Sequence, residues 1–152
     1  MSRKDENIGP LTGVRVLDLT INVLGPVATQ ILGDLGAEVI KVETPSGDPM
    51  RLIGSSKTGM LGPFFQTTNR NKKSVVLDLK KIEEKNALLK IAGGCDVFVH
   101  NMRQAATERL GIDYKNLKKA APRIIYASAT GYRRNSPKDG RPAYDDVIQG
   151  ES

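Results

Sequence analysis

One stretch, residues 13–43, limits the possible folds of this chain more than any other part of the sequence. It reads GVRVLDLTINVLGPVATQILGDLGAEVIKVE. Residues 14–19 are almost continuously apolar, which is typical of a parallel strand covered on both faces. Residues 37–43 supply a second strand, with Val39, Ile40 and Val42, and a short helix is expected between the two strands. The stretch therefore predicts a right-handed strand–helix–strand unit, the starting unit of a doubly wound sheet.

The helix expected between these strands carries its own start, stripe and end signals. Pro26 suits the first helical position, where a missing N–H breaks no hydrogen bond. Val27, Ile31 and Leu35 then recur at helical spacing, which predicts an apolar stripe. Gly36 suits the position after the helix, where the backbone often takes a positive φ.

Strand and helix patterns continue to alternate along the rest of the chain. The sequence predicts, in order, a strand at residues 74–79, a helix at 80–92, a strand at 95–100, a helix at 105–110, a helix capped by Asp113 and a strand at 123–128. This alternation predicts an α/β fold: a doubly wound, mainly parallel sheet of about five strands, with helices on both faces and the first strand central. The strand residues expected in the core are Val16, Leu17, Val39, Ile40, Val76, Val97 and Ile125. The helix residues expected to face inward at 80–92 are Ile82, Leu88, Leu89 and Ile91.

Composition narrows the class of protein. The 152 residues are 39% hydrophobic and 26% charged, which suits one globular domain. No apolar run has membrane-spanning length, so no membrane partner and a cytoplasmic location are expected. One cysteine and one histidine exclude an internal disulfide and an ordinary zinc cluster. The net charge of +6 favours an anionic partner, but only 5% of residues are aromatic and no basic helix is evident. A ligand with several phosphates is therefore expected rather than nucleic acid.

Ligands of such sheets bind beyond the carboxyl ends of the strands. The first of these turns, residues 20–25, lacks the G-x-G-x-x-G pattern, so NAD and FAD are excluded although Glu43 stands where a ribose-binding acid would. No G-x-S-x-G pattern is present either. His100 has no second histidine beside it in the sequence, and we interpret it as a polar strand-end residue rather than part of a catalytic triad.

Several separated blocks resemble the class III CoA-transferase family, which includes formyl-CoA and carnitine CoA-transferases and is related to the α-methylacyl-CoA racemases. The blocks are GVRVLDLT, ATQILGDLGAEVIKVE, NRNKKSVVLDLK, CDVFVHN, ERLGIDY, PRIIYASATGY and RPAYDDVIQGES. They occur in the family's order from about Pro10 to Ser152. The resemblance therefore covers essentially the whole chain.

The resemblance implies a Rossmann-like large domain that binds coenzyme A (CoA). Family members move CoA between carboxylic acids through an aspartate nucleophile, which forms an aspartyl-CoA thioester, and they are interlocked homodimers. The catalytic Asp lies a few tens of residues beyond the block at residues 144–152, so no catalytic residue is expected in this chain. Residues 1–12 are expected to be a tail and residues 13–152 the N-terminal part of the large domain, without the small domain and the C-terminal return segment.

The resemblance also implies which residues contact CoA. Matching positions are Asn22, Val23 and Leu24 after the first strand; Leu77, Asp78, Leu79 and Lys80 after the third; Asn101, Met102 and Arg103 after the fourth; and Arg109. A guanidinium at Arg109 suits phosphate oxygens. CoA thioesters and carboxylic acids are thus expected as substrates, with no permanently bound cofactor and no metal.

Two other functions remain open. Racemase relatives carry a catalytic His at the position of Tyr144, and a phenol is a poor substitute for an imidazole in proton transfer near neutral pH, so transferase is favoured. The second alternative is a standalone Rossmann-like module that binds a nucleotide, CoA or another subunit. As part of a transferase, the chain is expected to be inactive by itself and to associate with a second copy or with a complementary chain.

Overall fold

The computed structural model describes residues 9–57, 59 and 61–151. Its strands are β1 (Arg15–Leu19), β2 (Glu38–Glu43), β3 (Lys72–Val76), β4 (Val97–His100) and β5 (Ile125–Ser128). Its helices are α1 (Leu24–Asp34), α2 (Pro63–Thr68), α3 (Ile82–Ala92), α4 (Gln104–Leu110), α5 (Tyr114–Ala120) and α6 (Asp145–Glu151), with a 3₁₀ turn at Pro49–Leu52.

The five strands form one parallel sheet in the order β3-β2-β1-β4-β5. The predicted α/β fold, the number of strands and the central position of β1 are therefore confirmed. Alternate residues of β1 enter separate core clusters: Leu17 and Leu19 join the cluster that contains Leu88 of α3 and Leu117 of α5. Val16 joins a second cluster, against which Leu32 of α1 packs. Helices thus cover both faces of the sheet.

The sheet is bounded by two edge strands, and this corrects the expected core. Val16, Leu17 and Val39 are buried as expected, and Ile40 and Val97 are partly buried. Val76 of β3 and Ile125 of β5 are instead 57% and 64% exposed. Both lie on the outermost strands, which have a neighbour on one side only, and a period-2 pattern cannot tell an edge strand from a central one.

Helix α1 buries a different face from the one expected. It begins at Leu24, so Pro26 is its third residue and not its first; proline still costs little there because the first-turn N–H groups have no partners within a helix. Ile31 and Leu35 are 50% and 40% exposed. The buried residues of the helix are Gly25, Pro26, Thr29, Gln30 and Gly33. The helix turns this small and polar face inward because the strand beneath it carries the buried carboxylate of Asp18.

Helix α3 and strand β3 also differ slightly from expectation. Ile82 lies at the start of the helix and is exposed, whereas Leu88 is buried and both Leu89 and Ile91 are partly buried. Strand β3 begins at Lys72 and ends at Val76, earlier than the predicted strand at residues 74–79. Its first residue is the inward-facing lysine described next.

A buried polar layer lies beneath α1. Lys72 places its ammonium 3.1 Å from Asp18 Oδ2, and both side chains are almost completely buried. Lys41 of β2 makes a second buried ion pair with Asp48, at 2.9 Å. Burial lowers the pKa of Lys72, and the carboxylate of Asp18 opposes that shift. Each charge is thus held in the interior by its partner.

Glu43, at the end of β2, is engaged on both carboxylate oxygens. Arg51 donates to Oε1 and Oε2 at 2.7 Å each, Ser74 Oγ donates at 2.6 Å and the Asp48 N–H at 3.0 Å. Burial raises the pKa of Glu43, but the hydrogen bonds from Arg51, Ser74 and Asp48 outweigh it and lower the pKa to about 2. These partners leave Glu43 no free oxygen for a ribose.

Part of the expected tail contacts the fold. The Leu11 N–H donates to the Leu35 carbonyl at 2.9 Å, and the Leu11 side chain packs against the second core cluster. The rest of that tail, residues 1–8, lies outside the described residues.

We predict that Lys72→Met destabilises the chain far more than Lys73→Met. The first change leaves Asp18 buried without its counter-charge, which typically costs about 3–5 kcal/mol. Lys73 is 73% exposed and pairs with Glu38 at the surface, where such a pair contributes about 1 kcal/mol or less. Urea unfolding of the two variants measures the difference; equal losses would contradict the buried pair.

We further predict a loss of stability in acid that depends on Glu43. Its pKa is about 2 in the folded chain and near the ordinary 4.5 when unfolded, so its contribution is complete above pH 4.5 and is lost as the pH falls towards 2. The shift corresponds to about 3 kcal/mol. In Glu43→Gln, the fall in unfolding free energy between pH 5 and pH 2 should be smaller by about this amount. Glu83→Gln, at an exposed site, is the control and should follow the parent; an unchanged acid profile in Glu43→Gln would contradict the assignment.

Candidate functional site

The strand order places a crevice between β1 and β4. The chain leaves β1 towards β2 on one side and leaves β4 towards β5 on the other, so the connections diverge at this pair. In open parallel sheets, ligands bind at such a point, outside the carboxyl ends of the strands. Here the two flanking segments are residues 20–24 after β1 and residues 101–103 after β4.

An open cavity of about 1440 Å³ lies at this crevice. The first segment contributes Ile21, Asn22, Val23 and Leu24, and the second contributes Asn101 and Arg103. The opposite wall comes from the region after β5 and from residues near the end of the chain, including Ser128–Tyr132, Arg134, Arg141 and Tyr144. Both strand ends of the switch point therefore face one cavity.

Asn101 joins the two segments across the crevice. Its side-chain oxygen accepts from the Ile21 N–H at 3.0 Å, and its side-chain nitrogen donates to the Ile21 carbonyl at 2.8 Å. An amide provides both a donor and an acceptor, which a carboxylate cannot do. Asn22, the residue after Ile21, has a φ of 67°, in the left-handed region that asparagine tolerates better than most residues. The turn after β1 thus has a defined shape.

Five of the residues assigned to CoA by resemblance line this cavity: Asn22, Val23, Leu24, Asn101 and Arg103. Arg103 also stands at the start of α4, as its capping residue. The structure brings these five together from opposite sides of the switch point.

The other assigned residues lie outside that lining. Leu77 is buried in the core cluster of α3 and α5, and Leu79 and Met102 pack against the same cluster. Asp78 Oδ1 accepts from the Lys80 N–H at 3.1 Å, which closes a local turn after β3. Lys80 and Arg109 are exposed. Contacts of these six residues with CoA stay predictions.

His100 is more than a polar strand-end residue. It is buried at the end of β4, lines the cavity and packs against Phe98 and Tyr126, with ring centroids 5.8 Å and 5.0 Å away. Burial lowers its pKa to about 4. The Met102 N–H donates to Nδ1 at 3.2 Å, a hydrogen bond that requires this nitrogen to be unprotonated. The imidazole is therefore neutral at pH 7. Within the described part of the chain its Nε2 has no hydrogen-bond partner.

The charges around the cavity are balanced. Arg103, Arg134 and Arg141 line it, and so do Asp113, Asp139 and Asp145. The excess positive charge of the chain is thus not concentrated here, and recognition of an anion depends on individual guanidinium groups. Sequence reasoning did not assign Tyr126, Arg134 or Arg141 to a site, although their position around the end of β5 is the signal that could have identified them.

The described residues contain no group of three or more His, Cys, Asp or Glu side chains able to hold a metal ion. Within those same ranges, no helix has the length and apolar character needed to cross a membrane.

Comparisons with known proteins identify the relatives of this chain. It is 43% identical over 147 residues to the succinyl-CoA:glutarate CoA-transferase of Homo sapiens, covering 96% of this chain and 34% of that protein. It is 41% identical over 145 residues to the acetyl-CoA:oxalate CoA-transferase of Acetobacter aceti, covering 95% of this chain and 37% of the relative. The chain thus spans about a third of the length of the curated relatives it matches.

Solved structures agree with this relationship. A CAIB/BAIF family protein from Brucella suis superposes with a TM-score of 0.89 at 35% identity, covering 94% of this chain and 39% of the other. A putative betaketoacyl-ACP reductase, at 15% identity and a TM-score of 0.52, shares the fold alone. The protein-family model described as CoA-transferase family III matches residues 11–152. With nearly all of its length matched by that model, this chain belongs to CoA-transferase family III.

Proposed function

We propose that this chain supplies the part of a CoA-transferase that binds CoA, at the carboxyl ends of the strands, and that the enzyme moves CoA between carboxylic acids. One observation carries the proposal: five residues that the family resemblance assigns to CoA line one cavity at the β1–β4 switch point. The names of relatives support the reaction class, since they describe transfer of CoA between pairs of acids such as succinate and glutarate. The acids that this protein uses are not part of the proposal.

The described residues suggest how the cavity would hold the CoA thioester. Ile21, Val23 and Leu24 are exposed apolar side chains on the turn after β1, and they offer a surface for the pantetheine arm. Arg103 supplies a guanidinium, which can bind phosphate oxygens in a bidentate manner. Lys80 and Arg109, which lie outside the cavity lining, would bind the nucleotide portion of CoA.

The chemistry of the proposal requires a carboxylate nucleophile beyond Ser152. That carboxylate attacks the acyl carbonyl of the donor thioester, which gives a mixed anhydride and releases the CoA thiolate. The thiolate then attacks the aspartyl carbonyl, releasing the donor acid and leaving an aspartyl-CoA thioester. The acceptor carboxylate reverses these two steps and leaves as the new CoA thioester. An interlocked homodimer and a cytoplasmic location belong to the same proposal.

A racemase is the less favoured alternative. Tyr144 lines the cavity at the position where racemase relatives carry a histidine. His100 is buried at the end of another strand, and its lowered pKa makes it a weak base. Proton abstraction next to a thioester is therefore poorly served by the described residues.

We predict that CoA binds this chain and that Arg103→Ala, Lys80→Ala and Arg109→Ala each weaken binding. The expected loss is about 1–2 kcal/mol per variant, as for a lost charge-assisted hydrogen bond. Calorimetry with CoA, dephospho-CoA and NAD measures it, with the exposed Lys90→Ala of α3 as the control. Unchanged affinity in Lys80→Ala and Arg109→Ala would remove these two residues from the site. Absence of CoA binding by the folded parent would contradict the proposed function.

We also predict that residues 1–152 by themselves do not transfer CoA. Loss of a nucleophile costs several orders of magnitude in rate, and the proposed Asp lies outside this chain. Leu24 and Leu52, each 71% exposed, are among the apolar side chains that favour association with further protein. An assay between a thioester and an acid, with sedimentation alongside, tests both points. Turnover at an ordinary enzymatic rate by a clean monomer would contradict them.

A further inference from the structure

Residues 20–26 comprise the turn after β1 and the first three residues of α1, and they carry the apolar wall of the cavity. This segment, the 20–26 loop, is closed at its base. Thr20 donates to Asp18 Oδ1 through both its N–H, at 2.8 Å, and its hydroxyl, at 2.6 Å. Gly25, near the other end of the loop, packs directly on the Thr20 side chain: a Cβ on Gly25 would lie 2.4 Å from Thr20 Cβ. The two ends of the loop therefore meet, and the side chains between them project towards the cavity.

A buried lysine holds each end of this loop. Lys41 Nζ donates to the Thr20 carbonyl at 2.8 Å, at the first residue of the loop. Lys72 Nζ donates to the Pro26 carbonyl at 2.8 Å, at the last residue of the segment, in the first turn of α1. The lysines come from the neighbouring strands β2 and β3, and both side chains are at least 98% buried.

Stability of the sheet is a weak explanation for these charges. Replacing a whole buried ion pair by apolar residues of similar volume is often neutral or stabilising, so such a pair is poor evidence of a stabilising role. An apolar side chain, however, cannot donate to the carbonyls of Thr20 and Pro26. Lys72 also donates to Thr29 Oγ1 at 2.8 Å and to Asn69 Oδ1 at 2.9 Å, so its ammonium is a junction of several segments. Asp48 and Asp18 supply the counter-charges.

We infer that Lys41 and Lys72 are positioning residues that fix the loop of residues 20–26, one at each end, and so set the wall on which the CoA thioester lies. This inference deepens the proposed function and rests on it for the identity of the ligand. Asn101 holds the loop at Ile21, between the two lysine-bound carbonyls. The three anchors come from three different strands or strand ends, so the shape of the loop depends on the assembled sheet.

The test uses a paired variant that separates positioning from stability. Asp18→Asn combined with Lys72→Met removes both charges, while the oxygen of the new amide can still accept from Thr20. We expect its urea midpoint to lie closer to the parent's than that of Lys72→Met. We also expect the Ile21 amide to exchange its hydrogen at least tenfold faster than in the parent, and the Kd for CoA to rise at least tenfold. Lys73→Met, next to Lys72 but exposed, is the matched control and should leave both values unchanged.

A second pair, Asp48→Asn with Lys41→Met, applies the same test to the other end of the loop. The amide introduced by Asp48→Asn can still accept from the Met50 N–H, a hydrogen bond that stabilises the 3₁₀ turn. If either double variant is folded and shows the Ile21 exchange rate and the CoA affinity of Lys73→Met, the inference is overturned for the lysine replaced in that variant. Exchange of the Ile21 amide in the parent at the rate of an unstructured peptide would overturn it without any variant. If the parent binds no CoA, the proposed function fails, and the exchange rates still decide whether the lysines fix the loop.

Discussion

The carboxylate of Asp18 is buried on the central strand, and much of the surrounding structure follows from the need to neutralise it. A charge in that position is tolerated only with a counter-charge and hydrogen bonds on its remaining lone pairs. Lys72, Thr20 and Thr29 supply them at 2.6–3.1 Å. The need for a counter-charge explains why the inner face of α1 is small and polar and why a lysine stands at the first position of the edge strand β3. The apolar stripe of α1 is consequently left on the outside.

The same network places the candidate site. Asp18 and Lys72 are below the turn after β1, and Asn101 reaches that turn from the end of β4. The turn is therefore supported by the buried charges in the sheet interior and by the segment after β4 on the other side of the crevice. A cavity wall built in this way needs no glycine-rich phosphate loop, which agrees with the absence of a dinucleotide pattern in residues 20–25. The result is a Rossmann-like fold in which the turn after β1 is not a glycine-rich phosphate loop.

The sequence was sufficient to predict the parallel sheet, its central strand and the turns around the switch point, because apolar runs and helix-end signals are local. It could not distinguish Lys72 from Lys73, since only the register of β3 against β2 turns one ammonium inward and the other to solvent. The exposure of Val76 and Ile125 likewise depends on strand order and not on residue type. For α1, the periodicity of Val27, Ile31 and Leu35 was real, but the deciding factor was a charge on another element. The position of Arg134 and Arg141 after β5 was visible in the sequence, but the cavity wall to which they contribute depends on how distant segments meet.

The ordering of the strands along the chain has a consequence for how the protein is made. Strands β1, β2 and β3 are adjacent in the sheet and all lie within residues 15–76, whereas β4 and β5 follow at residues 97–128. Every residue of the two buried ion pairs falls in the first part, between Asp18 and Lys72. Because synthesis runs from the N-terminus, a nascent chain can neutralise its interior charges before β4 leaves the ribosome. The contact between Asn101 and Ile21 can form only after β4 has been made, so the crevice takes its final shape when the second part of the sheet is added to the first.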